Sequence, residues 1–87
     1  MELIPVSELV KMDLHWLRGE DNRFQSVLKS LKQGEGIKEA VQLIRCACGK
    51  TYILQDGGHR ISAAFRLFQE TGKDLCIPVS IFQSHIP

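Results

Sequence analysis

The sequence predicts a small α+β domain, and three observations carry that expectation. Two segments repeat apolar residues at i, i+3, i+4 and i+7, the spacing of one helix face: Phe24, Val27, Leu28 and Leu31, then Ile61, Ala64, Phe65 and Phe68. Four short β-compatible runs surround them, at residues 2–6, 40–46, 51–55 and 75–82, most of them bounded by Pro or Gly. The chain has 87 residues, 44% of them apolar, which supports one core and leaves no room for a second folding unit of ordinary size. Residues 1–87 are therefore expected to form a single domain in the order β, short α, loop, α, β, β, α, β.

Each element has a local cause. Glu2 to Val6 is an apolar run whose Pro5 suits an edge strand or a strand end, and Ser7 followed by Glu8 signals a brief turn of helix. Periodicity is lost from Asp13 to Arg23, where charge and Gly19 predict a loop, the kind of segment that often carries function. Asp21 or Asn22 then caps the first long helix, and Gly34 ends it. Ala40–Cys46 and Thr51–Gln55 read as a hairpin across Ala47-Cys48-Gly49-Lys50. Asp56-Gly57-Gly58 breaks the second strand, and the next helix starts within a residue or two of His59 and stops at Gly72. Leu75–Phe82 is the last strand, with Pro78 marking an edge-type position.

Composition excludes some function classes. Eleven Lys and Arg against ten Asp and Glu leave a formal charge of +1, so a nucleic-acid partner would have to be held by a local patch rather than by net charge. No apolar run approaches the ~18–20 residues of a bilayer span and no leader pattern opens the chain, so no membrane role is expected. Three cysteines are an odd number, and Cys46 and Cys48 are too close along the chain for a usual pairing, which predicts a reducing, cytoplasmic setting. Zinc is not expected, because Cys46, Cys48 and Cys76 lack an evident fourth ligand; two half-buried hairpin thiols are the simpler account. His15 and His85 have no recognisable partners by spacing, and Trp16 reads as a loop anchor.

Chemistry is best placed at Tyr52–Ala64. There an apolar strand passes through two glycines into a helix that opens with His59 and Arg60. The first N–H groups of a helix have no internal partner, the macrodipole adds partial positive charge, and glycines let a ligand approach the backbone. Arg60 adds a forked cationic donor and His59 a donor or proton shuttle. The plain alternative is a tight turn in which Asp56 caps the helix and His59 and Arg60 are solvated.

Gly57-Gly58-His59-Arg60-Ile61-Ser62-Ala63-Ala64 resembles the strand–turn–helix of the ParB/sulfiredoxin superfamily, whose turns read Gly-x-x-Arg or Gly-Cys-His-Arg. The Leu3–Leu9 opening, the amphipathic helix ending near Gly34-Glu35-Gly36-Ile37, the hairpin and the closing Ile77-Pro78-Val79-Ser80-Ile81 fit the same order, so the resemblance covers nearly the whole chain. It implies a ParB/sulfiredoxin-like fold, a small mixed sheet with two main helices, and a strand–Gly-Gly-His-Arg–helix turn that binds nucleotide phosphates. Departures narrow this. Sulfiredoxin chemistry needs a cysteine where this chain has Gly58, which argues against reductase activity; ParB-like turns usually carry two arginines where this chain has His59-Arg60; and the added domains of partition proteins do not fit in 87 residues.

The expected function is a nucleotide-binding domain for ATP or a related triphosphate with Mg²⁺, working as a small phosphotransferase or nucleotide hydrolase. Gly57, Gly58, His59 and Arg60 would hold phosphate, with Ser62, Arg18 and Arg23 as further contacts; Asp56, Glu20 and Asp21 are the candidate carboxylates for Mg²⁺ or general-base work, beside His59 as a proton shuttle. No protein-only metal site is expected. The alternative is a non-catalytic, ParB-like regulatory module that binds DNA or a protein partner, and a homodimer through edge strands is compatible with either.

Overall fold

The computed structural model describes residues 1–84; His85 lies outside the described residues. Strand β1 (Glu2–Pro5) leads directly into the one-turn helix α1 (Val6–Leu9), and a loop over residues 10–21 reaches the long helix α2 (Asn22–Lys32). The hairpin β2 (Val41–Arg45) and β3 (Tyr52–Asp56) follows, then helix α3 (Gly58–Thr71) and strand β4 (Cys76–Gln83). The described residues form a mixed α+β fold, as expected, with a four-stranded sheet and three helices.

The strand order is β1-β4-β2-β3. Strand β4 pairs antiparallel with β1, through Leu3 opposite Pro78 and Ile4 opposite Ile77, and parallel with β2, through Val41 opposite Val79 and Leu43 opposite Ile81. The expected edge position for Pro78 is therefore corrected, because β4 is an interior strand. Proline is accommodated there because the parallel ladder to β2 begins one residue later, at Val79, so the missing N–H removes no rung from it.

Alternation along the strands sorts the sheet into two faces. Val41, Leu43, Ile77 and Val79 are fully buried and meet Ile61, Ala63, Ala64 and Leu67 of α3, Phe24, Leu28 and Leu31 of α2, and Val6 and Leu9 of α1 in one core cluster. Each fully buried Leu, Ile or Val contributes roughly 1.5–3 kcal/mol over its exposed state. The opposite face carries exposed Leu3, Ile53 and Phe82. Among the described residues no helix is long and apolar enough to cross a membrane.

Local boundaries follow local chemistry. Asp21 caps α2 by accepting from the Phe24 N–H at 2.9 Å, as expected. Ser7 does not cap α1; Pro5 holds that position, and the Ser7 hydroxyl and N–H both donate to Asp74, just before β4, at 2.5 and 3.0 Å. Gly72 ends α3 with φ +77°, the left-handed conformation glycine adopts without cost.

Candidate functional site

The turn between β3 and α3 is shaped by two glycines with different tasks. Gly57 has φ +115°, and a Cβ there would stand 2.8 Å from Val41 Cγ2 and 3.1 Å from Val41 Cα, so glycine is what lets the turn rest against β2. Gly58 begins the helix, and the guanidinium of Arg18 lies across it, 2.6–2.8 Å from where a Cβ would be. No side chain caps α3; the expected alternative of Asp56 as its cap is corrected, since Gly57 occupies that position. The first intrahelical bond runs from the Ile61 N–H to Gly57 O, so the N–H groups of Gly58, His59 and Arg60 precede the ladder.

This uncapped end opens on a cleft of about 510 Å³. Arg23, Ser26, Val27, Ser30 and Leu31 of α2 form one wall, residues 36–39 form the second, and Gln55–Arg60 and Arg18 close the third side. Val27, Leu31 and Ile37 make that lining apolar on one side, while Arg18, Arg23, Lys38 and Arg60 supply four cations. Arg23 and Lys38 form no ion pair with any described residue.

Arg60 is held differently from the solvated or ligand-ready side chain expected. It is only 11% exposed, and its guanidinium pairs with Glu39 at 2.5 Å and Asp56 at 3.6 Å and donates to Ala40 O at 3.3 Å. It thus ties the entry to β2 to the end of β3, with two carboxylates already on its donors. Glu39 is a site residue that sequence reasoning missed. Its only signal is its place just before a strand, and nothing local joins it to a residue 21 positions later.

Asp21 and His59, both candidates from sequence, are brought together: His59 Nε2 lies 3.1 Å from Asp21 Oδ2 across 38 residues of chain. The Phe24 N–H first and the His59 ring second hold the Asp21 carboxyl below its ordinary value of 3.8. His59 lines the cleft with its side chain 23% exposed, so it is a histidine oriented by a carboxylate, the arrangement of a general base and its positioning group.

Two candidates are placed elsewhere. Glu20, expected to close over the ligand, instead pairs with Arg66 on the outer side of α3, where Arg66 also covers the Phe24 ring at 5.8 Å. Ser62, expected as a phosphate contact, is buried; its hydroxyl donates to Trp16 O at 2.8 Å and accepts from the Arg18 N–H at 3.0 Å. Both residues fasten the 10–21 loop to α3, helped by an edge-to-face contact of Trp16 on Phe65 with centroids 5.2 Å apart. Arg18, at the end of that fastened stretch, donates to His15 O and Leu17 O at 2.5 and 3.0 Å, which sets its guanidinium over the start of α3.

Among the described residues no group of three or more His, Cys, Asp or Glu side chains converges as a metal site. A Mg²⁺ ion carried on phosphates asks less of a protein, commonly one or two carboxylates, and Asp56 and Glu39 are the carboxylates that line the cleft. No protein-family model matches the chain, and no curated protein matches it.

Proposed function

We propose that the cleft binds a nucleoside triphosphate or a related polyphosphate ligand. The observation that carries this reading is the uncapped, glycine-opened start of α3 facing a cleft of about 510 Å³ edged by Arg18, Arg23, Lys38 and Arg60. Phosphate oxygens accept from free helix N–H groups and from forked guanidinium donors, and an apolar wall such as Val27, Leu31 and Ile37 accepts the face of a base. The resemblance of Gly57–Arg60 and its surroundings to the ParB/sulfiredoxin superfamily supports the same ligand class. When Mg²⁺ accompanies the phosphates, Asp56 and Glu39 are the residues that would hold it, and it would neutralise charge developing on the transferred phosphoryl group. His59, oriented by Asp21, then takes the proton of an attacking hydroxyl or water, which makes the domain a small phosphotransferase or nucleotide hydrolase.

The test is thermal unfolding with ATP, CTP, GTP, ADP and pyrophosphate, each with and without Mg²⁺. Arg23→Ala with Lys38→Ala is the control rather than Arg60→Ala, since truncating Arg60 also strands Glu39, Asp56 and the Ala40 carbonyl. A ligand at ~100 times its Kd adds about 2.7 kcal/mol, which raises the midpoint of a domain this size by roughly 10–20 °C. A shift for one ligand that shrinks in the double variant supports the reading, and no shift with any of them overturns it. Loss of turnover in His59→Ala with the ligand shift retained separates chemistry from binding.

The alternative, a non-catalytic regulatory module of the ParB kind, draws on the open sheet face with exposed Leu3, Ile53 and Phe82, a surface suited to a protein partner or a second copy of the chain. Nucleotide binding without turnover, together with a concentration-dependent mass in light scattering, would favour it. DNA binding that weakens steeply between two salt concentrations would favour its nucleic-acid form.

A further inference from the structure

The hairpin turn that joins β2 to β3 lies at the opposite end of those strands from the cleft, and it carries two of the three cysteines. Its shape is set by the backbone. The Cys46 N–H donates to Thr51 O at 2.9 Å, and the Gly49 N–H donates to Cys46 O at 2.8 Å, so Cys46–Gly49 is a four-residue β-turn with Ala47 and Cys48 at its corner. Gly49, at φ +76°, takes the left-handed position that returns the chain toward β3. The turn folds Cys48 back onto Cys46: the two Sγ atoms are 3.0 Å apart, and the Cys48 N–H lies 3.5 Å from the same Cys46 sulfur. Both are free thiols, Cys48 exposed and Cys46 half-buried behind it. The Arg45 guanidinium reaches across the turn, 3.2 Å from where a Gly49 Cβ would stand.

We propose that Cys46 and Cys48 are a redox-active dithiol that exchanges with small disulfides of the glutathione type and closes reversibly to a disulfide inside the turn. The Cys48 thiolate attacks one sulfur of the small disulfide, forming a mixed disulfide on Cys48 and releasing one small thiolate. Cys46 then gives its proton to that thiolate or to solvent and attacks Cys48 Sγ, expelling the second thiolate. Two electrons pass from the protein dithiol to the small disulfide, leaving one protein disulfide and two small thiols. The roles follow from exposure and environment. Cys48 meets solvent, and hydrogen bonds to its sulfur, from Cys46 first and the Lys50 N–H next, bring its pKa from 9.0 down to about 7. Cys46 already touches the sulfur it has to attack, so the second step is intramolecular and fast. With Ala47 alone between the cysteines the ring is small, and small strained disulfides are the labile, exchanging ones rather than structural staples.

The experiment treats the reduced full chain, in a Cys76→Ser background, with glutathione disulfide at pH 7, followed by acid quench and mass spectrometry. The expected product has lost two hydrogens, retains no glutathionyl group and maps to a Cys46–Cys48 bond. Cys46→Ser should stop at a stable glutathionyl adduct on Cys48, and Cys48→Ser should react more slowly than the parent, because the thiol that remains is the half-buried one and the exposed attacking sulfur is gone. Glutathionyl groups retained on both cysteines would overturn the proposal. So would a rate for the folded chain no greater than that of an unstructured peptide of residues 44–52.

Discussion

Exchanging each of the two glycines at the β3–α3 turn for alanine should give opposite results, although they are neighbours in the chain. At Gly57 the added methyl meets Val41, whose side chain is fully buried and whose backbone belongs to the β2–β4 ladder, so nothing on the far side of the contact can give way. The backbone must also hold an L-residue at φ +115°, a cost of about 1–3 kcal/mol before the clash is counted. Adding overpacking of about 1–3 kcal/mol gives a loss of about 2–6 kcal/mol. For 87 residues the unfolding entropy is about 0.18 kcal/mol/K, which converts that loss into a midpoint lower by roughly 10–30 °C. At Gly58 the atoms nearest to the methyl belong to the Arg18 guanidinium, the far end of a flexible side chain, and alanine is a better helix residue than glycine. Gly58→Ala should therefore keep its midpoint within about 3 °C while pushing Arg18 off the start of α3 and weakening anion binding there. Thermal unfolding by circular dichroism measures the first effect, and calorimetric titration with pyrophosphate measures the second. A Gly57→Ala midpoint within about 3 °C of the parent, or a Gly58→Ala protein that is the less stable of the two, would refute the account of the turn.

Two further outcomes follow from side chains that fasten the frame. Ser62→Ala removes the hydroxyl that bridges Trp16 O and the Arg18 N–H, and the groups left unpaired should cost about 2 kcal/mol in denaturant unfolding; a loss below about 0.5 kcal/mol would mean that the loop is held without it. Asp21 and Asp74 both have carboxyl pKa values below 3.8 in the folded chain, the first through the Phe24 N–H and the His59 ring, the second through the Ser7 hydroxyl and N–H. The folded state thus binds protons less readily than the unfolded one, so their contribution is fully present above about pH 4 and is lost as pH falls through their folded values. The midpoint should drop between pH 4 and pH 2, less steeply in Asp74→Asn, and an unchanged slope in that variant would count against Asp74 as a contributor.

The local features were legible because their causes are local. The i, i+3, i+4, i+7 stripes placed α2 and α3 to within a residue or two, Asp21-Asn22 marked the start of α2 without deciding which of the two caps it, and Gly34 and Gly72 marked the stops. The hairpin and the glycine turn were legible for the same reason, since each is made by residues a few positions apart. Pro78 misled because proline reports a missing N–H but not which neighbour that N–H would have faced; β4 sits between β1 and β2, and the residue falls just before the parallel ladder starts. Ser62 and Glu20 misled in another way. Their chemistry suits phosphate or a proton, but Trp16, Arg18 and Arg66 meet them first.

The sequence by itself determined the mixed helix–strand composition, the segments that bury, and the placement of glycines, His59 and Arg60 at the start of a helix, because these depend on periodicity and on backbone freedom within one turn of chain. Only the tertiary structure decided that Arg60 is bound by Glu39 and Asp56, that Asp21 reaches His59, that Arg18 lies over Gly58, and that Lys38 shares their cleft. Several of those pairings join residues 20 to 40 positions apart, and the energy that selects them comes from burying the common core of α1, α2, α3 and the sheet, which no single segment contains.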